Sequence, residues 1–177
     1  MEKLKKALTI RLEGAKRVAV LGVGSDLRAD DAAGILAAKA LEDRRAGGKG
    51  AVRLKVFLGA TAPENLTGEI KNFKPTHLVI VDTAEMRERP GTMLVLKGDD
   101  LSGGVTFSTH IMPPKILVRY FQESIGCEVV IVGIQPKTIE FGRPVSKEVA
   151  SAAKALARAI REAASAGAHP RTRRRRS

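Results

Sequence analysis

The stretch RVAVLGVGSDLRADDAAGILAAKALEDRR, residues 17–45, decides the fold. It opens as a continuous apolar run broken only by glycine, the pattern of a strand buried on both faces. From AAGILAAKALEDRR onward the apolar residues recur at spacings of three and four, which predicts a helix with one covered face. Asp30 or Asp31 stands where a helix cap is expected, and GGKG at 47–50 supplies the stop. A buried strand running straight into a helix is half of a crossover unit, and such units build parallel sheets.

The flanking chain repeats the alternation. An amphipathic helix over about 2–13 precedes the first strand, and VRLKVFLG (52–59) reads as a second. TAPENLTGEIKNF (61–73) offers Thr61 as N-cap, Pro63 in the first turn and Glu64 three residues after Thr61, a capping box ahead of a short helix. HLVIVDTAE (77–85) is a third buried strand with Asp82 at its end, and TMLVLKG (92–98) is a short strand expected to run antiparallel at the edge. LSGGVTFSTHIMP (101–113) reads as loop, PKILVRYFQESIG (114–126) as an amphipathic helix, CEVVIVGIQP (127–136) as the last buried strand, and 146–167 as the closing helix. The expected class is α/β: one three-layer α/β/α domain over 1–166, with a mostly parallel sheet of about five strands and an antiparallel edge strand. Residues 167–177 form a basic tail, expected to be disordered.

Composition bounds the function. Hydrophobic residues make up 44% of the 177-residue chain and aromatics only 3%, so the core must be aliphatic. No apolar run approaches the ~20 residues of a membrane span, and the charged N-terminus carries no signal-peptide pattern, so a soluble cytoplasmic protein is expected. The single cysteine, Cys127, excludes an internal disulfide framework, and its place at the start of a buried strand assigns it to the core. The net charge of +12 invites nucleic acid as a partner, but five of those charges are the arginines of HPRTRRRRS, and no basic stripe interleaved with aromatics exists. Nucleic-acid binding is therefore not expected as the main function. Asn and Gln number two each while Lys, Arg and Glu abound, a bias of heat-adapted proteins.

In an open parallel sheet, ligands sit at the carboxyl ends of the strands. The Asp30–Asp31 pair follows strand one, Asp82 ends strand three, and His110 lies in the loop after the edge strand. Carboxylates at the tips of such apolar strands sit partly desolvated and stay charged only beside a cation or donors. Two carboxylates and an imidazole on one crevice make a ligand set for Ni, Zn, Mn or Fe with positions left open. Other chemistries are poorly supported. GVGSDL has Leu27 where a dinucleotide loop needs its third glycine, and acids follow where phosphate would sit. Ser108 and Thr109 lack an elbow motif, and His77 and His169 lie at a strand start and in the tail. Gly22 and Gly24 are explained by a tight turn in which a Cβ would clash.

The motifs VLGVGSDLRADDAAG, GATAPEN, LVIVDTAEMRERPGTM, STHIMP and VGIQP occur in that order over roughly 17–146. Together they resemble the hydrogenase maturation endopeptidases of [NiFe] hydrogenases; APEN, THIMP and GIQP resemble the branch serving formate-hydrogenlyase-type (hydrogenase 3-like) enzymes. The resemblance implies an α/β/α fold and a cytoplasmic, monomeric peptidase. It implies removal of a C-terminal extension from a large-subunit precursor after nickel insertion, the nickel being carried by that partner. It also implies Asp31, Asp82 and His110 as metal-binding and catalytic residues, a choice between Asp30 and Asp31 that the residues alone left open. The nucleophile, a metal-bound water or a water activated by an acid, stays open. The chain departs from the family pattern at Ser25, at Ala29 where glycine often precedes the acids, and at LGA (58–60) where DGG is common. A reading of another class is a non-enzymatic metal-binding chaperone or sensor that docks on a metalloprotein and cuts nothing.

Overall fold

A computed structural model describes residues 1–42, 52–96, 105–107 and 114–167. In chain order these form α1 (Glu2–Arg11), β1 (Arg17–Val23), a 3-10 turn (Ala29–Ala32), α2 (Ala33–Glu42), β2 (Arg53–Ala60), a 3-10 turn (Pro63–Leu66), α3 (Thr67–Phe73) and β3 (His77–Glu85). There follow β4 (Met93–Leu96), β5 (Thr106–Phe107), α4 (Pro114–Ile125), β6 (Glu128–Ile134) and α5 (Lys147–Gly167). The sheet order is β2-β1-β3-β6-β4, with β5 attached to β3 outside this path. β2, β1, β3 and β6 run parallel to one another, and β4 runs antiparallel to β6 at the edge.

Strand periodicity builds the layers. Val79, Val81, Val130 and Val132 pack on α1, α2 and α5, while Leu78, Ile80, Val129 and Ile131 pack on α3 and α4. Both faces of β3 and β6 are covered, which is why these strands read as unbroken apolar runs. The chain leaves β1 for β2 by way of α2, then crosses back by way of α3 to place β3 on the other side of β1. That reversal puts the topological switch point between the carboxyl ends of β1 and β3.

Three local expectations are corrected. Neither Asp30 nor Asp31 caps α2: both lie in the 3-10 turn that runs into it, and the turn starts from Arg28 without a side-chain cap. The Thr61 capping box is absent, because Ala62 takes the cap position and a second 3-10 turn precedes α3. Thr67 instead donates its hydroxyl to the Glu64 carbonyl at 2.6 Å. Within the stretch read as loop, Thr106 and Phe107 form β5, pairing antiparallel with Glu85 and Ala84. Of the tail expected over 167–177, Gly167 instead ends α5, and the rest lies outside the described residues, as does the helix stop at 47–50.

Candidate active site

Close backbone approach seats the acid-bearing turn. A Cβ on Gly34 would lie 2.2 Å from the Val81 carbonyl oxygen and 2.3 Å from that of Val23, so the start of α2 sits over the junction of β3 and β1. Gly24 has φ of +132°, and a Cβ there would meet the Asp31 carbonyl oxygen at 1.9 Å. The glycines of GVGSDLRADDAAG thus serve backbone geometry, as expected. Ala29, in place of a family glycine, holds φ at 47°, a left-handed conformation that costs an L-residue on the order of 1–2 kcal/mol.

The two adjacent carboxylates have opposite surroundings. Asp30 is fully buried, and its carboxylate accepts from Lys137 N at 2.8 Å, Thr138 N at 3.3 Å, Ser146 N at 2.6 Å and Ser146 Oγ at 2.9 Å. Its own N–H donates to the Thr138 carbonyl at 3.1 Å. Four donors leave this carboxylate saturated, and it fastens the loop between β6 and α5 to the turn before α2. Asp31 is 2% exposed, and among the described residues its Oδ1 has no hydrogen-bond partner. A buried carboxylate oxygen without a donor is costly in an isolated fold.

Asp82 is 3% exposed, and its Oδ1 accepts from Thr83 N at 2.7 Å. The Thr83 hydroxyl donates to the Asp30 carbonyl at 2.8 Å, tying the tip of β3 to the turn that carries Asp31. The switch point therefore gathers Asp30, Asp31 and Asp82. His110 lies outside the described residues; it follows Phe107, whose partner in β3 is Ala84, by three positions. His77 opens β3 at the far end of the sheet, where its Nδ1 lies 3.0 Å from Thr76 Oγ1. Cys127 is buried, and burial pushes its thiol up to about 11, so it belongs to the core as expected.

Sequence reasoning missed three supporting residues: Thr83, Ser146 and Gln135. Gln135 is 3% exposed; its Oε1 accepts from Met86 N at 2.7 Å and Glu88 N at 3.2 Å, and its Nε2 donates to Glu85 Oε2 at 2.9 Å. It thereby braces the chain leaving β3. Its signal was legible, as the one polar residue closing the apolar run VVIVGIQ.

Among the described residues no group of three acidic, histidine or cysteine side chains is assembled for a metal. What is assembled suits a hard or borderline cation: two buried carboxylates, one with an open oxygen, at the place where this topology puts ligands.

A family model described as a hydrogenase maturation protease matches residues 35–163. The chain belongs to the hydrogenase maturation protease family. The hydrogenase 3 maturation protease of Escherichia coli K12 is 36% identical over 133 residues, covering 75% of this chain and 81% of its own. The crystal structure of a [NiFe] hydrogenase maturation protease from Thermococcus kodakarensis superposes with a TM-score of 0.76 at 30% identity, covering 89% of this chain and 98% of that one. The solution structure of an Escherichia coli endopeptidase of the same type gives 0.71 at 31% identity, covering 82% and 90%. The maturation protease is thus of the hydrogenase 3-like branch, and the reading as a non-enzymatic docking module falls away. Among its described residues no helix is long and apolar enough to cross a membrane.

Proposed function

We propose that this protease removes the C-terminal extension of a [NiFe] hydrogenase large-subunit precursor, in the cytoplasm and as a monomer, and that it recognises the nickel already inserted there. The observation that carries the reading is Asp31 Oδ1, buried and without a donor, on the turn tied to Asp82 through Thr83. With Asp82 and His110 it forms the proposed site, to which the partner brings the metal. An unloaded precursor leaves Asp31 Oδ1 buried without a partner, so specificity arises from the cost of an empty site. Hydrolysis needs an acceptor for a proton of the attacking water, and a carboxylate with an open oxygen is such an acceptor. Asp30 has no oxygen to offer and acts as the clamp that orients the turn.

The experiment mixes the purified protein with nickel-loaded and nickel-free precursor and follows the precursor by mass spectrometry. Loss of the C-terminal peptide from the loaded form alone is expected. Equal cleavage of both forms would end the checkpoint, and no cleavage of either would end the reading.

A further inference from the structure

Asp30 commits its whole carboxylate to a loop, residues 136–146, that the proposed chemistry does not use. That loop forms one wall of a cavity of about 260 Å³. Thr106 and Phe107 of β5 line the cavity too, as do Thr83 and Glu85 at the tip of β3. Pro136, Thr138 and Ile139 face it from the loop. Thr83 directly follows Asp82, so the cavity adjoins the candidate acids.

Its polar lining is largely occupied within the fold. The Thr83 hydroxyl donates to Asp30, and the Glu85 carboxylate accepts from Gln135 Nε2 at 2.9 Å and Arg87 N at 2.9 Å. Lys137, also on the lining, pairs with Glu148 at 2.9 Å, and the Thr138 hydroxyl accepts from Glu140 N at 3.3 Å. Among the described lining residues, what remains for a ligand is the Thr106 hydroxyl and the apolar surface of Phe107, Pro136 and Ile139. The volume lies below the roughly 300–1,000 Å³ of small-molecule sites and suits a single side chain. Outside the cavity the same loop exposes Phe141 (75%) next to Leu27 (60%), joined by Gly142 N donating to the Leu27 carbonyl at 2.9 Å.

We infer that the cavity is a subsite for an apolar side chain of the protein substrate, next to the bond that is cut. The inference rests on the protease reading for the identity of the substrate. N-acetyl-leucine methylamide titrated into the whole labelled chain should shift the amides of Phe107, Thr138 and Ile139, whereas the capped aspartate and lysine analogues should not. Ile139→Trp, which fills the cavity from the loop, and Thr106→Phe, which fills it from β5, should each remove those shifts. Each should also raise KM for the nickel-loaded precursor roughly tenfold or more, the order expected for one apolar side chain denied its pocket. Equal shifts with all three capped residues, or an unchanged KM in both folded variants, would overturn the inference. If wild-type protein cuts no precursor while capped leucine still shifts those amides in it and not in the variants, the subsite stands and the protease reading fails.

Discussion

At the amino ends of the parallel strands one hydroxyl serves many partners. Thr76 Oγ1 accepts from Lys16 N at 3.0 Å and Arg17 N at 3.2 Å, donates to the Arg17 carbonyl at 3.0 Å, and lies beside His77. The Thr76 backbone adds bonds to β1 and to β6, and Arg17 Nε donates to the Lys74 carbonyl. At the carboxyl ends of the same strands three buried acids crowd the switch point, and Asp31 keeps an oxygen with no donor. One end is wired for stability; the other tolerates an unmet electrostatic demand, which is where pre-organised chemistry is usually found.

The largest expected effect breaks the carboxyl end alone. Asp31→Asn or Asp82→Asn should abolish precursor cleavage. The melting midpoint of the Asp31 variant should stay level or rise, since a desolvated charge is removed. Full activity in either would take that residue out of the site. Second, Asp30→Ala should leave several loop donors unpaired and destabilise the fold by about 3–5 kcal/mol in denaturant unfolding. A cost no larger than that of Asp31→Asn would erase the contrast between the neighbours.

Third, Thr76→Val should cost about 1–3 kcal/mol by stranding the Lys16 and Arg17 amides, with precursor cleavage retained. Loss of cleavage in that variant, still folded, would show that the two ends are not separate. The smallest effect is in pH. Burial is the main cause that lowers the His77 pKa from 6.5, with Arg11 adding to it and Glu128 opposing it. The unfolded chain therefore binds a proton first on acidification, and stability should fall as pH drops below about 6.5. His77→Gln should flatten that limb of the stability–pH curve without touching cleavage at neutral pH.

Much of the fold was legible because both periodicities are strong. β3 occupies His77–Glu85 as read from HLVIVDTAE, and α5 ends at Gly167 where the helical spacing stops. The misreadings share a cause. Thr61, Asp30 and Asp31 each had the chemistry of a cap, but a 3-10 turn preceded each helix, and Asp30 found donors elsewhere. β5 is too short to carry a period and exists because the tip of β3 offers a partner. In the candidate site, apolar strands ending in carboxylates announced Asp82 and the acid pair. Thr83 and Ser146 gave little sign, since a hydroxyl acquires its role from the groups that folding brings to it.

By itself the sequence determined the layers, the parallel sheet and the end of it where acids would gather, because these follow from local period and from residues adjacent in the chain. Only the tertiary structure decided which of two neighbouring carboxylates keeps an open oxygen. The donors that saturate Asp30 lie 107, 108 and 116 residues away, and nothing local to DD could reveal which acid they would reach.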